Sequence, residues 1–283
     1  MRRLIIRPGG IGDCILSLPA IEHLRVDYTE VWVPSAVVPL INVPLINGPL
    51  IRFAEARAIP STGIDLLGLP GVDPPAALIA RLRQFDSIVS WYGSNREEFR
   101  AQVSELGLPF QFLDALPGRG AKTHAADFFL KQAGGDGLAV PRIECAQRCR
   151  GDFAVIHPFS GSARKNWPLN RFREVAARLA LPVRWCAGPE EPLPPELSED
   201  TTRFENLYEL ACWLASARVY IGNDSGITHL AAAVGMPVVA VMGPADRAVW
   251  APRGERVRVL SAGSLEEIAS DDVLETVRRI RAA

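Results

Sequence analysis

Apolar and polar residues along this chain fall into short β-branched runs followed by stretches with helical spacing, and the alternation repeats from end to end. Leu4–Ile6 reads as a minimal buried strand, and RPGGIGDCILSLPAIEHLR after it as a glycine-rich turn opening a helix that Pro19 kinks or restarts. Glu30–Val33 predicts a second strand. The next stretch, SAVVPLINVPLINGPLIRF, is interrupted by prolines and fits neither period. It reads as an irregular apolar segment with a strand near Ile51–Ala54 and a near-repeat, NVPLINGPLI, too short for a repeat architecture; packing between domains suits it better than lipid contact. A Pro/Gly-rich loop over 60–75 and a helix over Ala76–Gln84 follow. FDSIVSWYG is a strand, SNREEFRAQVSELG a helix capped by Ser94, PFQFLDAL a strand and AKTHAADFFLKQAG an amphipathic helix.

GGDGLAVPRIECAQRCRGD has linker composition, and the alternation restarts after it. DFAVIHPFSG is a strand and loop, LNRFREVAARLA a helix and PVRWCAG a strand. A Pro/Glu loop leads to the helix NLYELACWLASA. VYIG, a turn, ITHLAAAV and MPVVAVMG then give strand, helix and strand, RVRVL is a last strand, and IASDDVLETVRRIRAA a closing helix. Regular strand–helix alternation implies α/β architecture with parallel sheets covered on both faces. The linker divides the chain into an N-terminal domain over 1–143 and a C-terminal domain over 144–283. Two such halves are expected to form a cleft where the loops GGIGD, HPFSGSARKNWP and GNDSG converge at the carboxyl ends of strands.

Composition narrows the partners. With 48% hydrophobic and 22% charged residues the balance is globular, and a net charge of -1 with dispersed basic residues lacks the footprint of a nucleic-acid binder. The five cysteines have no paired CxxC spacing and read as reduced, in a cytoplasmic protein. Cys145 and Cys149 could share a helical face, but two ligands without a second pair do not make a metal site. No secretory h-region or membrane-length apolar run occurs, so any membrane contact is expected to be peripheral.

Two stretches carry candidate chemistry. In VYIGNDSGITHLAAAVGMPVVAVMGP, Asn223, Asp224 and Ser225 are N-cap residues in a row, Gly226 permits close approach to backbone, and Thr228 and His229 lie in the first helical turn. The same pattern fits an ordinary capped helix. In HPFSGSARKNWPLNRF, Ser160, Gly161 and Ser162 offer hydroxyls and amides, while Arg164 and Lys165 place positive charge just after a strand, which suits a diphosphate. Lysine is scarce, with Lys122, Lys131 and Lys165 the whole set against 28 arginines. No DxD pattern indicates a metal holding a diphosphate. Gly9, Gly10 and Gly12 lack the third glycine and the distal acidic residue of a dinucleotide fingerprint, so NAD and FAD are rejected; Asp13, where loop becomes helix, fits a capping role.

Taken in order and spacing, GGIGDCILSLPAIEHLR, IHPFSGSARKNWPLNRFREVAARL and ARVYIGNDSGITHLAAAVGMPVVAVMGPADRAVWAPRG resemble the bacterial heptosyltransferases, glycosyltransferase family nine. The resemblance implies a GT-B fold, two Rossmann-like domains facing across a cleft, with the C-terminal one holding a nucleotide-sugar donor such as ADP-heptose. It implies inverting, metal-independent transfer, without a cofactor, to a lipopolysaccharide-core-like or other glycan or lipid-linked acceptor. By likeness, Asp13 is the catalytic carboxylate and Lys165 lies by the diphosphate and sugar. Ser160, Gly161, Arg164, Asp224, Ser225, Gly226 and His229 belong to the donor site, Glu190 or Glu191 meets the ribose, and Glu205 begins the segment touching adenine. Gly10, Gly12 and His124 fall on the acceptor side, and the last helix crosses back to the N-terminal domain. Gly161 replaces a frequent second hydroxyl residue, Arg247 a frequent proline, and Val33–Pro75 shows no likeness. A GT-B-like epimerase, a transferase with another donor, or a binding protein without turnover are the alternatives.

Overall fold

The computed structural model describes residues 1–42, 54–145, 151–189, 191, 193–197, 201–243 and 246–282. Glu190, Cys149 and most of the irregular apolar segment, including its near-repeat, lie outside the described residues. The chain divides into two units, Met1–Ala121 with Ala125–Ala139, and Lys122–His124 with Val140–Ala283.

In the first unit, β1 (Arg2–Ile6), β2 (Tyr28–Val33), β3 (Glu55–Ala58), β4 (Ser87–Ser90) and β5 (Phe110–Phe112) form a sheet of order β3-β2-β1-β4-β5 in which every pairing is parallel. Helices α1 (Ile11–Leu16), α2 (Leu18–His23), α3 (Val38–Ile41), α4 (Ala76–Leu82), α5 (Glu97–Glu105) and α6 (Ala125–Gln132) accompany it. Pro19 restarts the first helix, since it occupies the opening turn of α2, where its missing N–H costs nothing. One core side gathers Leu4, Ile6, Trp32, Leu82, Ile88 and Val103 around Phe99, whose ring meets those of Tyr92, Phe110 and Phe112 edge-on at 5.5–6.1 Å. Glu30 is fully buried in β2, and its carboxylate is neutralised by Arg81 and by Arg57 at 3.3 Å and bonded by the Trp32 indole at 2.7 Å.

The second unit holds β6 (Ala154–His157), β7 (Val183–Ala187), β8 (Thr201–Arg203), β9 (Val219–Asn223), β10 (Val238–Met242) and β11 (Val257–Ser261) in the order β11-β10-β9-β6-β7-β8, again all parallel. Numbered within the unit this is the doubly wound Rossmann order, with its reversal between β6 and β9. Helices α7 (Leu169–Arg178), α8 (Leu207–Ala215), α9 (Gly226–Ala233), α10 (Arg247–Trp250) and α11 (Ser270–Ala282) complete it. From Ile227 to Ala233, α9 is buried throughout, because its alanines let it lie close to α8, β9 and β10. Among the described residues no helix is long and apolar enough to cross a membrane.

Several elements differ from expectation. The helix expected from Ser94 starts at Glu97, since Gly93 at φ +73° turns the chain back and Arg96 N–H bonds Gly93 O instead. The strand expected near Ile51–Ala54 falls, except for Ala54, outside the described residues; Glu55–Ala58 after it form β3, paired with β2 through polar and small residues. Thr201–Arg203, read as loop, is an edge strand too short and polar to show periodicity. The last helix, expected to cross back, belongs to the second unit: Val273, Leu274, Val277 and Ile280 of α11 share one core with Phe172 and Val175 of α7.

Phe99 anchors its core with a 0% exposed ring. Phe99→Ala is expected to lower stability by about 3–5 kcal/mol, read as an earlier chemical-denaturation transition.

Candidate donor site at the sheet reversal of the second unit

Where strand order reverses, neighbouring strands send their connections to opposite sheet faces and leave a crevice at their carboxyl ends. In the second unit that point lies between β6 and β9, which pair so that His157 stands opposite Gly222. The loops after these two strands, 158–168 and 224–225, are therefore neighbours. Asn223, fully buried, ties them: its Nδ2 donates to Pro158 O at 2.7 Å and its Oδ1 accepts the Trp167 N–H at 2.9 Å. Trp167 anchors the far end, with its ring edge-on to Phe172 at 4.8 Å and its Nε1–H bonded to Ile268 O at 3.1 Å.

The clamp presents Lys165 from a 3-10 turn, Ala163–Lys165, and its Nζ donates to Asp224 Oδ2 at 2.7 Å. Asp224 is buried while Lys165 is 47% exposed, so two of the three ammonium hydrogens are left for another acceptor. Ser225 is the N-cap of α9, its Oγ accepting the Thr228 N–H at 3.3 Å. Amides and helix dipole at this end favour an anion. Ser160 stays within its own loop, its Oγ 2.7 Å from Asn166 Oδ1 and 2.8 Å from Ser162 O, and Gly161 and Arg164 are exposed. Gly226 opens α9, and His229 is buried in its first turn.

Glu191 enters from the loop after β7. Its Oε2 accepts the Gly188 N–H at 2.7 Å and lies 3.0 Å from His157 Nε2, while Arg203 of β8 gathers the carbonyls of Gly188, Pro189 and Glu191 and so folds this loop back. Burial works to raise the Glu191 carboxyl, but the hydrogen bond and charge of His157, the Gly188 N–H and Arg203 together hold it below the usual carboxylate range. Behind it, burial and the nearby carboxylate push the Cys186 thiol up to about 12, which keeps it neutral. Tyr220, fully buried, is also raised, chiefly by burial, and its hydroxyl lies 3.0 Å from Thr228 Oγ1. Gly222 makes this possible, because a Cβ there would stand 2.5 Å from the Tyr220 hydroxyl.

Lys165, Asp224, Ser225 and Glu191 thus share one end of one sheet. Glu205 is exposed in the turn before α8, next to Asn206, which caps that helix. His124, expected on the acceptor side, is grouped with the second unit, its Nε2 2.8 Å from the carbonyl of Ala251 after α10. The sequence assigned no role to His157, Tyr220 or Arg203, and marked Asn223 as an N-cap candidate rather than as the tie between loops; positions at strand ends beside motif residues were the available signal.

In the first unit the corresponding reversal lies between β1 and β4. Asp13 is in the first turn of α1, and its Oδ2 accepts the Gly10 N–H at 2.9 Å, so it does cap the helix. Gly9 adopts φ +115°, and a Cβ there would stand 3.0 Å from the Asp13 side chain. Gly12 lies within α1. Arg7, 1% exposed, sits behind them with its guanidinium 4.4 Å from the Phe129 ring centroid and 5.5 Å from that of Trp91, donating to Ala115 O and to Asp13 O, both at 3.2 Å. Burial lowers its pKa, with the Cys14 and Asp13 charges opposing.

Comparison with known proteins bears on the family and the fold. The model of the family described as glycosyltransferase family 9 (heptosyltransferase) matches residues 132–277. The chain is 28% identical over 141 residues to lipopolysaccharide heptosyltransferase 1 of Escherichia coli strain K12, an alignment covering 42% of this chain and 44% of that protein, so the chain spans under half the length of this curated relative. Among solved structures, E. coli ADP-heptose lps heptosyltransferase II is similar over 100% of this chain and 99% of its own, at TM-score 0.71 and 19% identity. E. coli heptosyltransferase WaaC with ADP is similar over 99% of this chain and 100% of its own, at TM-score 0.69 and 18% identity. These likenesses show the fold, two Rossmann-like α/β units of the GT-B kind.

Asn223→Ala leaves the Trp167 N–H and Pro158 carbonyl without their buried partner. Each such loss costs about 1–3 kcal/mol. The variant is expected to be less stable and cut faster by protease within 159–166, compared with wild type by mass spectrometry of the fragments.

Proposed function

Because the chain belongs to glycosyltransferase family 9, we propose that it is an inverting glycosyltransferase taking its sugar from a nucleotide diphosphate donor, with ADP-heptose the donor that fits best. The observation that carries this reading is the meeting of Lys165, Asp224, Ser225 and Glu191 at the sheet reversal of the second unit. Lys165 and the α9 amides face a diphosphate, with Arg164 adding charge from the same turn. Glu191, an acceptor held ionised, suits a ribose hydroxyl, and the turn at Glu205 borders the base. Support for the donor's identity comes from the relatives: one solved neighbour is described with ADP and another by ADP-heptose.

In the proposed reaction an acceptor hydroxyl oxygen attacks the anomeric carbon as its bond to the diphosphate breaks, and the nucleoside diphosphate leaves with the bonding electrons. Asp13 takes the proton from that hydroxyl. Lys165 and the helix amides stabilise the charge growing on the leaving group, which is the part a metal ion plays in other transferases. Gly10 and Gly12 shape the loop presenting Asp13, and His124 belongs to the acceptor side of this scheme. The acceptor is a glycan of the lipopolysaccharide-core kind or another lipid-linked sugar, met by peripheral contact at the cytoplasmic face of the inner membrane.

ADP is expected to stabilise the protein in the presence of a chelator, by about 2.7 kcal/mol at a hundredfold excess over its Kd. Stabilisation that appears only on adding a divalent cation would overturn the metal-free site.

Asp13→Asn and Lys165→Ala are expected to fail differently. Losing the Asp13 carboxylate removes the proton acceptor but no donor contact, so ADP affinity persists while turnover falls by about two to four orders of magnitude. Losing Lys165 removes charge felt by the bound and the departing diphosphate, so binding and turnover fall together. Transfer assays with a panel of nucleotide sugars, paired with calorimetric ADP binding, separate the two. Unimpaired transfer by Asp13→Asn would leave Asp13 a helix cap only.

A further inference from the structure

His157 is 1% exposed and has a polar partner on each ring nitrogen: Glu191 Oε2 3.0 Å from Nε2, and Ser225 Oγ 3.4 Å from Nδ1. The hydrogens around it can be assigned by elimination. Glu191 is held in its ionised form and only accepts, so His157 Nε2 carries the hydrogen. A charged ring donates from both nitrogens; in the neutral ring, the state in which a tautomer exists to be set, Nδ1 is an acceptor and the Ser225 hydroxyl is a donor in reach. Ser225 has one hydrogen and two other polar neighbours, Thr228 Oγ1 at 3.1 Å and the Tyr220 hydroxyl. Thr228 spends its own hydrogen on the Asn223 carbonyl, and the neutral Tyr220 hydroxyl donates to Thr228 Oγ1 at 3.0 Å. A hydrogen on Nδ1 removes that nitrogen from the acceptors open to the Ser225 hydroxyl, so the choice of tautomer, which Glu191 controls, bears directly on where the Ser225 hydrogen points.

We infer that His157 is a positioning residue linking the two ends of the donor site: by fixing the imidazole tautomer, Glu191 at the ribose end sets the orientation of the Ser225 hydroxyl at the diphosphate end. Replacing Glu191 by a residue without an acceptor frees the ring to protonate Nδ1. That N–H then donates to Ser225 Oγ, and the Ser225 hydrogen turns to Thr228 Oγ1 or out to a ligand. His157, Thr228 and Tyr220 are buried, which keeps water from the ring and from the two hydroxyls behind it, while Ser225 and Glu191 are half-buried at the ends of the link. Arg203, by folding back the loop of Glu191, keeps the carboxylate within reach of the ring. The link needs no displacement of backbone.

This inference rests on the reading of the cluster as the donor site, and two measurements separate them. Nitrogen-15 NMR of the His157 ring in ligand-free protein, at a pH where the ring is neutral, is expected to show the Nε2–H tautomer in wild type and in Glu191→Gln, which keeps an acceptor oxygen, and a tautomer mixture in Glu191→Ala. An Nδ1–H ring in wild type, or a ring indifferent to Glu191→Ala, overturns the link whatever the protein binds. The second measurement is ADP affinity in a mutant cycle. Glu191→Ala and Ser225→Ala together are expected to depart from the product of their single effects by about threefold or more, and the departure is expected to vanish when both are made in His157→Phe or His157→Asn. Independent effects in the wild-type background overturn the link, while wild-type protein that binds no ADP, with the NMR result as expected, overturns the donor reading and leaves the tautomer control standing.

Discussion

The parallel pairing of β6 with β9 is the constraint on which the second unit's candidate site depends. Its register, Ala154 with Val219 through His157 with Gly222, ends the two strands nearly level, so that chain segments 65 residues apart deliver their loops to one place. Backbone bonds alone would bring the loops near each other without fixing them. The Asn223 amide does the fixing, and it can do so strongly because both of its bonds lie where water cannot compete. Trp167 then carries that order into the core beneath α7 and α11.

Three adjacent polar residues, the last of β9 and the two that follow it, divide the work by geometry. Asn223 faces inward and holds the neighbouring loop, Asp224 pairs with Lys165 at the rim, and Ser225 caps α9. Successive side chains at a strand end point in different directions, which is why residues so alike as cap candidates meet different partners. The Lys165–Asp224 pair is only partly desolvated, so it holds the ammonium in place more than it stabilises the fold. An ammonium already held beside a helix N-terminus needs little ordering when an anion arrives, and pre-organisation of this kind is how polar sites act on a charged ligand.

The first unit solves a related problem with a buried cation. Arg7, at the end of β1, is enclosed by aromatic faces and holds the Asp13 carbonyl, while Gly9 leaves the space the Asp13 side chain occupies in bonding Gly10 N–H. Capping and chemistry are compatible for such a carboxylate: one oxygen fixes its direction, and the other can still accept.

The sequence by itself determined the α/β class, most strands and helices, and the motif residues at strand ends, because buried parallel strands are written as β-branched runs and helix entries as cap residues. Resemblance assigned Asp13, Lys165, Asp224 and Ser225 to a site before any contact was known. Short polar elements were illegible for a physical reason: β8, Thr-Thr-Arg, exists because β7 offers it an edge, and nothing within its three residues favours a strand over a loop. The last helix was misplaced because an amphipathic face says that a partner exists without saying which, and here the partner is α7 with its sheet. Tyr220 lies in the apolar run VYIG, and His157 opens the loop HPFSGSARKNWPLNRF, with nothing in either stretch to mark a polar link between them. Only the tertiary structure could show that a glycine two positions on makes room for the Tyr220 hydroxyl, and that a glutamate and a serine from distant loops meet the two nitrogens of one imidazole, since such contacts depend on strand order and register rather than on local sequence.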